Sequence, residues 1–394
     1  MQGGTPFALR RIALPAFGPS LLFGLGEGAI LPAIPLGARD LGASVPTAAL
    51  AVALIGIGSL LSNIPASLIT LRHGERRALV AAALWCALGM ALCASTATLA
   101  CFAAGCFMIG MAQAVFSLAR QSWLTEAVPL HYRARALSTL GGVMRIGMFI
   151  GPFAAAAAIH RHGLAGAWGV GIAALLAAAL LAVRLPDLPP LDSPAAGAAS
   201  AAPTLRATLR EHRAVFLTLG IGVLLVSAVR ATRQAVIPLW ADHLALEASV
   251  ASLIFGLANG IDMLVFYPAG KLMDRKGRLW VVLPCTLIMG LALLLMPLSQ
   301  GAVGLLLAAA LLGFGNGIGS GMIMTLGADH SPRLGRAHFL GVWRLMADIG
   351  SSCGPALLSL LAAVLSLGAG IAMTGVLAFA AAVQLGYWIP RLRR

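Results

Sequence analysis

Apolar residues in this chain come in long runs, and the polar residues gather between the runs rather than alternating within them. A helix crosses a bilayer with about 20 apolar residues at 1.5 Å rise each. Stretches of that kind lie at 12–36, 46–70, 77–96, 98–124, 136–159, 163–184, 213–240, 249–271, 279–299, 302–326, 337–363 and 366–389. The pattern predicts an all-α membrane protein of twelve transmembrane helices.

The pattern also repeats itself. Shifted by 203 residues, Glu126, Pro129, Arg133, Gly147, Gly151 and Pro152 become Asp329, Pro332, Arg336, Gly350, Gly354 and Pro355. Arg72 and Gly74 likewise become Arg275 and Gly277, and Ile34-Pro35-Leu36 becomes Ile237-Pro238-Leu239. Parallel repeats of this sort form two pseudo-symmetric six-helix bundles about an axis along the membrane normal, with the binding site between them. The expected organisation is an N-terminal bundle over 1–184, a cytoplasmic linker over 185–211 and a C-terminal bundle over 212–394. Pro186 to Pro203 is rich in Pro, Ala and Ser and reads as a flexible joint between moving bundles. Thr204 can cap a short helix with Leu205 and Leu209 on one side and Arg206, Arg210 and Arg213 on the other. That helix either lies on the inner leaflet or continues into the seventh span.

Composition agrees: 60% hydrophobic and 10% charged residues over 394 positions is too apolar for an ordinary soluble domain. The net charge of +14 raises the question of nucleic acid, but the basic residues sit in short loops rather than on one face or in one domain. They report topology instead. With the N-terminus inside, inner segments receive Arg10, Arg11, Arg72, Arg76, Arg77, Arg133, Arg135, Lys271, Arg275, Lys276, Arg278, Arg333, Arg336, Arg391, Arg393 and Arg394, and outer loops keep only Arg39 and Arg161. The positive-inside rule therefore puts both termini in the cytoplasm of a bacterial-type inner membrane. Six cysteines fall inside apolar spans without metal-ligand spacing, so no metal is expected and they read as small core residues. Phosphate-loop and nucleophile-elbow motifs are missing, which points away from an enzyme. The seven tryptophans mostly fall near span ends, as interface anchors do. Alternating glycines from Gly313 to Gly321 suggest close helix packing, including Gly315-x-x-x-Gly319.

Charges inside the spans are the site candidates. Glu27, Arg145, Arg230, Arg233, Asp262, Arg344 and Asp348 all fall there. Each costs roughly 2.5–3.5 kcal/mol at a helix centre unless it meets water or a partner. The repeat sets Arg230 opposite Glu27, which either binds protons or substrate or forms a fixed ion pair with Arg230. Arg233 shares Arg230's face and either holds an anion or reaches the outer surface. Arg145 and Asp262 lie at similar depth, and Asp348, one turn from Arg344, can face Asn63. Arg120, near the end of its span, is expected to reach the inner headgroups. At the outer mouth the mirror positions Arg39 and Asp242 carry opposite charges, and are either solvated or tie the bundles together.

The segment Gly270-Lys271-Leu272-Met273-Asp274-Arg275-Lys276-Gly277-Arg278 resembles the signature loop of the major facilitator superfamily. Gly147-x-x-x-Gly151-Pro152 is similar to the pattern shown by that superfamily's antiporters, and it recurs at Gly350, Gly354 and Pro355. The resemblance implies that Asp274 docks at the start of the fifth span and that Glu126 and Asp329 bridge to Arg72 and Arg275 as inner gates. It also implies that the fifth and eighth spans touch, so that the Arg145–Asp262 pair forms and breaks with alternating access. Two positions depart from the pattern: Leu71 stands where an aspartate is expected, and the fourth span has no arginine near its middle, where Cys106 precedes Gly110. The combined expectation is a monomeric secondary transporter, with no cofactor and a proton gradient as its energy source. Its expected cargo is a small amphipathic organic compound, exported through the lipid bilayer, with uptake or exchange of an anionic metabolite as the alternative.

Overall fold

The computed structural model describes residues 9–128, 130–186, 205–332, 334 and 336–392, with backbone only at 9–15, 71, 130–135, 138 and 337. The linker from 187, Thr204, Pro129, Arg333, Arg393 and Arg394 lie outside the described residues, as do the side chains of Arg10, Arg11, Leu71, Arg133 and Arg135.

Among the described residues, twelve helices are long and apolar enough to cross a membrane: span 1 Ala16–Asp40, span 2 Val45–Thr70, span 3 Glu75–Ser95, span 4 Leu99–Ala127, span 5 Thr139–His162, span 6 Ala165–Val183, span 7 Arg213–His243, span 8 Ala248–Lys276, span 9 Leu279–Leu298, span 10 Gly301–His330, span 11 His338–Val364 and span 12 Leu367–Arg391. Apolar side chains such as Ile64 and Leu264 stand more than 70% exposed on the perimeter. Aqueous exposure on that scale is unfavourable, whereas lipid tails accept it.

Packing repeats between the halves. Span 5 lies on span 1 as span 11 lies on span 7, span 2 on span 4 as span 8 on span 10, and span 3 on span 6 as span 9 on span 12. The halves meet along two seams, span 2 against span 11 and span 5 against span 8. The Gly-x-x-x-Gly pattern makes the span 1–5 contact possible: a Cβ at Gly147 would run into Leu21 O, and one at Gly151 into Leu25 O. Gly350 and Gly354 sit in the same way on Leu224 O and Ala228 O of span 7. Pro152 and Pro355 lie within unbroken helices, Leu130–His162 and Arg336–Val364, so the pattern serves close approach here.

Several features differ from the sequence reading. Span 10 is broken: helix Gly301–Ile318 ends, Gly321 turns at φ +84°, and Met322–His330 resumes. The helix Leu205–Glu211 stops at His212 (φ −102°, ψ 17°), so it is separate from span 7, with Arg206 and Arg210 exposed. Among the tryptophans, Trp85 and Trp280 reach the perimeter, but Trp123, Trp168, Trp240 and Trp343 are buried. The indole N–H groups of Trp123, Trp240 and Trp343 donate to Pro186 O, Ser299 Oγ and Ile323 O, which makes these three core struts. Cys101 and Cys353 are exposed rather than in the core.

Candidate transport cavity

Span 1 is the most enclosed of the twelve, with 83% of its most apolar window buried. Glu27 lies on it and is 7% exposed. Phe23, one turn earlier, stacks on Phe116 of span 4 at 3.9 Å between ring centroids. Span 4 presents Gln113, Ser117 and Arg120 at i, i+4 and i+7, one face of a helix, and all three enter the same hollow as Glu27. Span 2 adds Ser59 and Asn63 with the same four-residue spacing, and span 11 adds Arg344 and Asp348.

The hollow lies between the halves. One chamber of about 370 Å³ is lined by Glu27, Ile55, Gln113, Met148, Arg230, Gln234, Asn316, Asp348 and Ser352 among others. A branch of about 170 Å³ shares Glu27, Ser59, Gln113 and Asp348 with it and runs to Arg120 and Arg344. A third, of about 270 Å³, is lined by Arg120, Arg145, Arg233, Asn259 and Asp262.

Asp262 of span 8 is the electrostatic centre of the C-terminal half. Its carboxylate lies 3.3 Å from Arg145 Nη1 of span 5 and 3.5 Å from Arg233 Nη1 of span 7, and accepts from Asn316 Nδ2 at 2.6 Å. Asn316 in turn accepts from Arg230 Nε through Oδ1 at 2.7 Å. The break in span 10 supplies the remaining acceptors. Ser320 N bonds to Gly317 O instead of Asn316 O, so Asn316 O is left to take Arg230 Nη2 at 3.0 Å, and Gly319 O takes Nη1 at 3.1 Å. Ser320 Oγ accepts from Arg145 Nη2. Unwound backbone lining a polar cavity is tolerated at membrane depth because such groups are satisfied there. The alternating glycines thus do more than pack: Gly313 and Gly317 seat on span 8, and the stretch beyond them forms a carbonyl cradle for Arg230.

Each charged candidate can now be placed. Glu27 and Arg230 line one chamber without forming an ion pair, since Arg230 is held by Asn316 and Gly319. The charge within electrostatic reach of Glu27 is Arg120. Arg233 is 8% exposed and bound to Asp262, so it does not reach the outer surface. Arg120 does not reach headgroups either; its guanidinium turns into the cavity, where Nε and Nη1 are buried without a hydrogen-bond partner. Asp348 accepts from Asn63 Nδ2 of span 2 at 3.1 Å and lies 3.8 Å from Arg344 Nε. At the end away from the termini, Arg39 Nε meets Asp242 Oδ2 at 2.9 Å across the two halves. Gln113, Arg120 and Asn316 line the cavity and Ser320 holds Arg145 from behind it, four residues that sequence reasoning did not place in the site. The i, i+4, i+7 spacing of polar residues in span 4 is the signal that marks the first two, and the Gly-Ser-Gly at 319–321 marks the last.

A family model described as Major Facilitator Superfamily matches residues 18–338 and, again, residues 219–394. The chain belongs to the major facilitator superfamily. Its fold is that of the superfamily's secondary transporters. No curated protein matches the sequence. Among solved structures, a POT family transporter in complex with a thioalcohol-conjugated peptide is 12% identical with a TM-score of 0.80, covering 98% of this chain and 97% of that one. The nucleoside transporter NupG is 14% identical with a TM-score of 0.74, covering 95% and 99%. The xylose transporter XylE from E. coli, in a partially occluded inward-open conformation, is 15% identical with a TM-score of 0.74, covering 97% and 98%. Identities this low speak to the fold alone.

The superfamily's loop residues take these places. Gly74 and Gly277 cap spans 2 and 8 at φ +79° and +96°. Gly270 to Lys276 form the last turns of the span 8 helix rather than a loop. Asp274 is 79% exposed and pairs with Arg278 at 3.5 Å, one turn on, while the first side chains of span 5, its expected docking place, lie outside the described residues. Asp329 takes Arg278, at 2.7 Å, in place of the expected Arg275, which is exposed. The hydrogen bond that Arg278 donates to Asp329 holds its guanidinium above its ordinary pKa. Arg278 wins because its fork at the start of span 9 faces Asp329 with two nitrogens. Among the described residues no ion pair joins Glu126 to Arg72; the charge within reach of Glu126 is Glu75.

Proposed function

We propose that this protein is a proton-coupled secondary transporter that exports a small amphipathic organic compound by alternating access, with Glu27 as the coupling carboxylate. The observation that carries the reading is the position of Glu27: a 7%-exposed acid facing the cavity between the halves, with no ion pair to Arg230. An acid so placed can exchange its proton with whichever side the cavity opens to, and its charge state changes what the cavity binds. Mixed lining by Phe23, Ile55, Met144 and Met148 beside Gln113, Gln234 and Ser352 suits an amphipathic solute. The Arg145–Asp262 and Arg39–Asp242 contacts cross between halves, so they are the bonds that must part as the halves rock. A D-xylose–proton symporter shares this fold, at 17% identity and a TM-score of 0.73, covering 95% of this chain and 96% of its own. We place both termini in the cytoplasm and read the functional unit as a monomer in the inner membrane.

The second reading, carriage of an anionic metabolite, is favoured by the charge balance of the cavity. Among the described residues lining it, Arg120, Arg145, Arg230, Arg233 and Arg344 face Glu27, Asp262 and Asp348, five cations against three acids.

The test is proton movement in liposomes holding the purified protein and a pH-sensitive dye, with candidate solutes added. Solute-linked proton flux in the wild type that disappears in Glu27→Gln supports the reading. An unchanged proton-to-solute ratio in Glu27→Gln removes Glu27 from the mechanism.

A further inference from the structure

The branch between span 4 and span 11 is built unlike the rest of the cavity. Elsewhere each arginine has an acid or an acceptor: Arg145 and Arg233 have Asp262, although Arg233 Nε is buried without a hydrogen bond, and Arg230 has Asn316 and two carbonyls. Arg120 lacks one at two of its three nitrogens, which are buried without a partner, although a buried donor left unmade costs about 1–3 kcal/mol, and more when charged. The acid within reach, Glu27, stands past the level of an aromatic stack. Phe23 precedes Glu27 by one turn and Phe116 precedes Arg120 by one turn, and consecutive spans place spans 1 and 4 antiparallel, so the two charges lie on opposite sides of the level of the stacked rings along the one branch. The next charge in reach of Arg120 is of its own sign: Arg344, from the opposite half, lines the same branch. Arg344 has a single acid, Asp348, at 3.8 Å, and Asn63 already donates to that acid.

Two guanidiniums from opposite halves thus line one hollow of about 170 Å³ together with the apolar Phe23, Phe116 and Met144 and the carboxylates of Glu27 and Asp348. A planar guanidinium with free N–H groups matches the two oxygens of a carboxylate or phosphate, and aromatic walls accept an apolar body. We propose that this branch is a receptor for an organic oxyanion, its charged group held between Arg120 and Arg344 and its ring or chain on Phe23, Phe116 and Met144. The inference rests on the alternating-access reading and narrows its cargo class. Because the two arginines belong to different halves, a bound oxyanion draws them together and offsets their repulsion, and the bound state favours closure of this branch.

The experiment is a thermal-shift titration of the purified protein in detergent with benzoate, phenyl phosphate, inorganic phosphate and the neutral benzamide. Benzoate or phenyl phosphate is expected to stabilise the wild type, inorganic phosphate to do so less, and benzamide not at all. Arg120→Gln is expected to weaken the oxyanion response about tenfold or more. If that variant does not fold, Arg344→Gln, whose side chain is 55% exposed, carries the same expectation. Arg206→Gln, on the separate Leu205–Glu211 helix, is expected to respond as the wild type does. Benzamide acting as well as benzoate, no response to any oxyanion, or full response in a folded Arg120→Gln or Arg344→Gln protein overturns the proposal. Solute-linked proton flux through Glu27 is read separately, so loss of the oxyanion site and loss of the transport reading give different results.

Discussion

Replacing Asp262 with asparagine removes one charge and almost no volume, yet it strands two arginines. They lie 3.3 and 3.5 Å from the carboxylate. At an effective dielectric of 20, each such contact is worth about 5 kcal/mol of gross attraction. Much of that offsets desolvation, since the Asp262 and Arg233 side chains are only 10% and 9% exposed. Arg145, at 32%, contributes the smaller share. Removing one partner of such a buried cluster costs about 3–5 kcal/mol because the remaining charges lose compensation. Asn316 keeps a partner in the new amide oxygen, so the loss is electrostatic. Intrinsic fluorescence melting of the detergent-solubilised protein is expected to fall by about 4–6 °C in Asp262→Asn. Adding Arg233→Gln is expected to recover part of that fall, because the orphaned cation goes with its acid. A melting point within about 1 °C of the wild type would refute the cluster as an energetic centre.

Other substitutions test other levels. Gly151→Leu drives a side chain into the span 1 backbone at Leu25 O, and Gly354→Leu does the same at Ala228 O; both are expected to abolish monodisperse protein on size-exclusion chromatography, whereas Gly169→Ala, which meets nothing within 4 Å, is expected to elute normally. Arg39→Asp puts like charges across the outer contact with Asp242 and is expected to separate the halves there, with Asp242→Arg in the same chain restoring the spacing. The stability change in that pair should stay near or below about 1 kcal/mol, because the side chains are 35% and 33% exposed.

The spans are legible because length and apolarity alone decide what crosses a bilayer, and the 203-residue repeat then sets their pairing. The repeat also puts Arg39 opposite Asp242, a contact that needs only depth and symmetry. Rotation about a helix axis is what one chain reveals poorly. Depth alone sends Arg120 to the headgroups, although its spacing from Gln113 and Ser117 places it on the cavity face. Symmetry alone sends Arg230 to Glu27, as it sends Arg39 to Asp242. The broken turn at Gly319–Gly321 intercepts it, and broken turns are set by what surrounds a helix as much as by its residues. At the signature segment the motif marks the right place but not the partner, since Arg278 reaches Asp329 from outside the helix on which Arg275 lies exposed.

The central claim is that the two halves rock about the cavity and expose Glu27 to each side in turn. Spin labels at Asp40→Cys and His243→Cys report one end, and labels at Arg72→Cys and Arg275→Cys the other, all four positions being exposed. The exposed Cys101 and Cys353 are replaced by serine in this background. Pulsed dipolar distances in liposomes at acid and alkaline pH are expected to show two populations at each end. One end should lengthen as the other shortens, and Glu27→Gln should lose the pH response. A single distance at each end, the same at both pH values, would contradict the account.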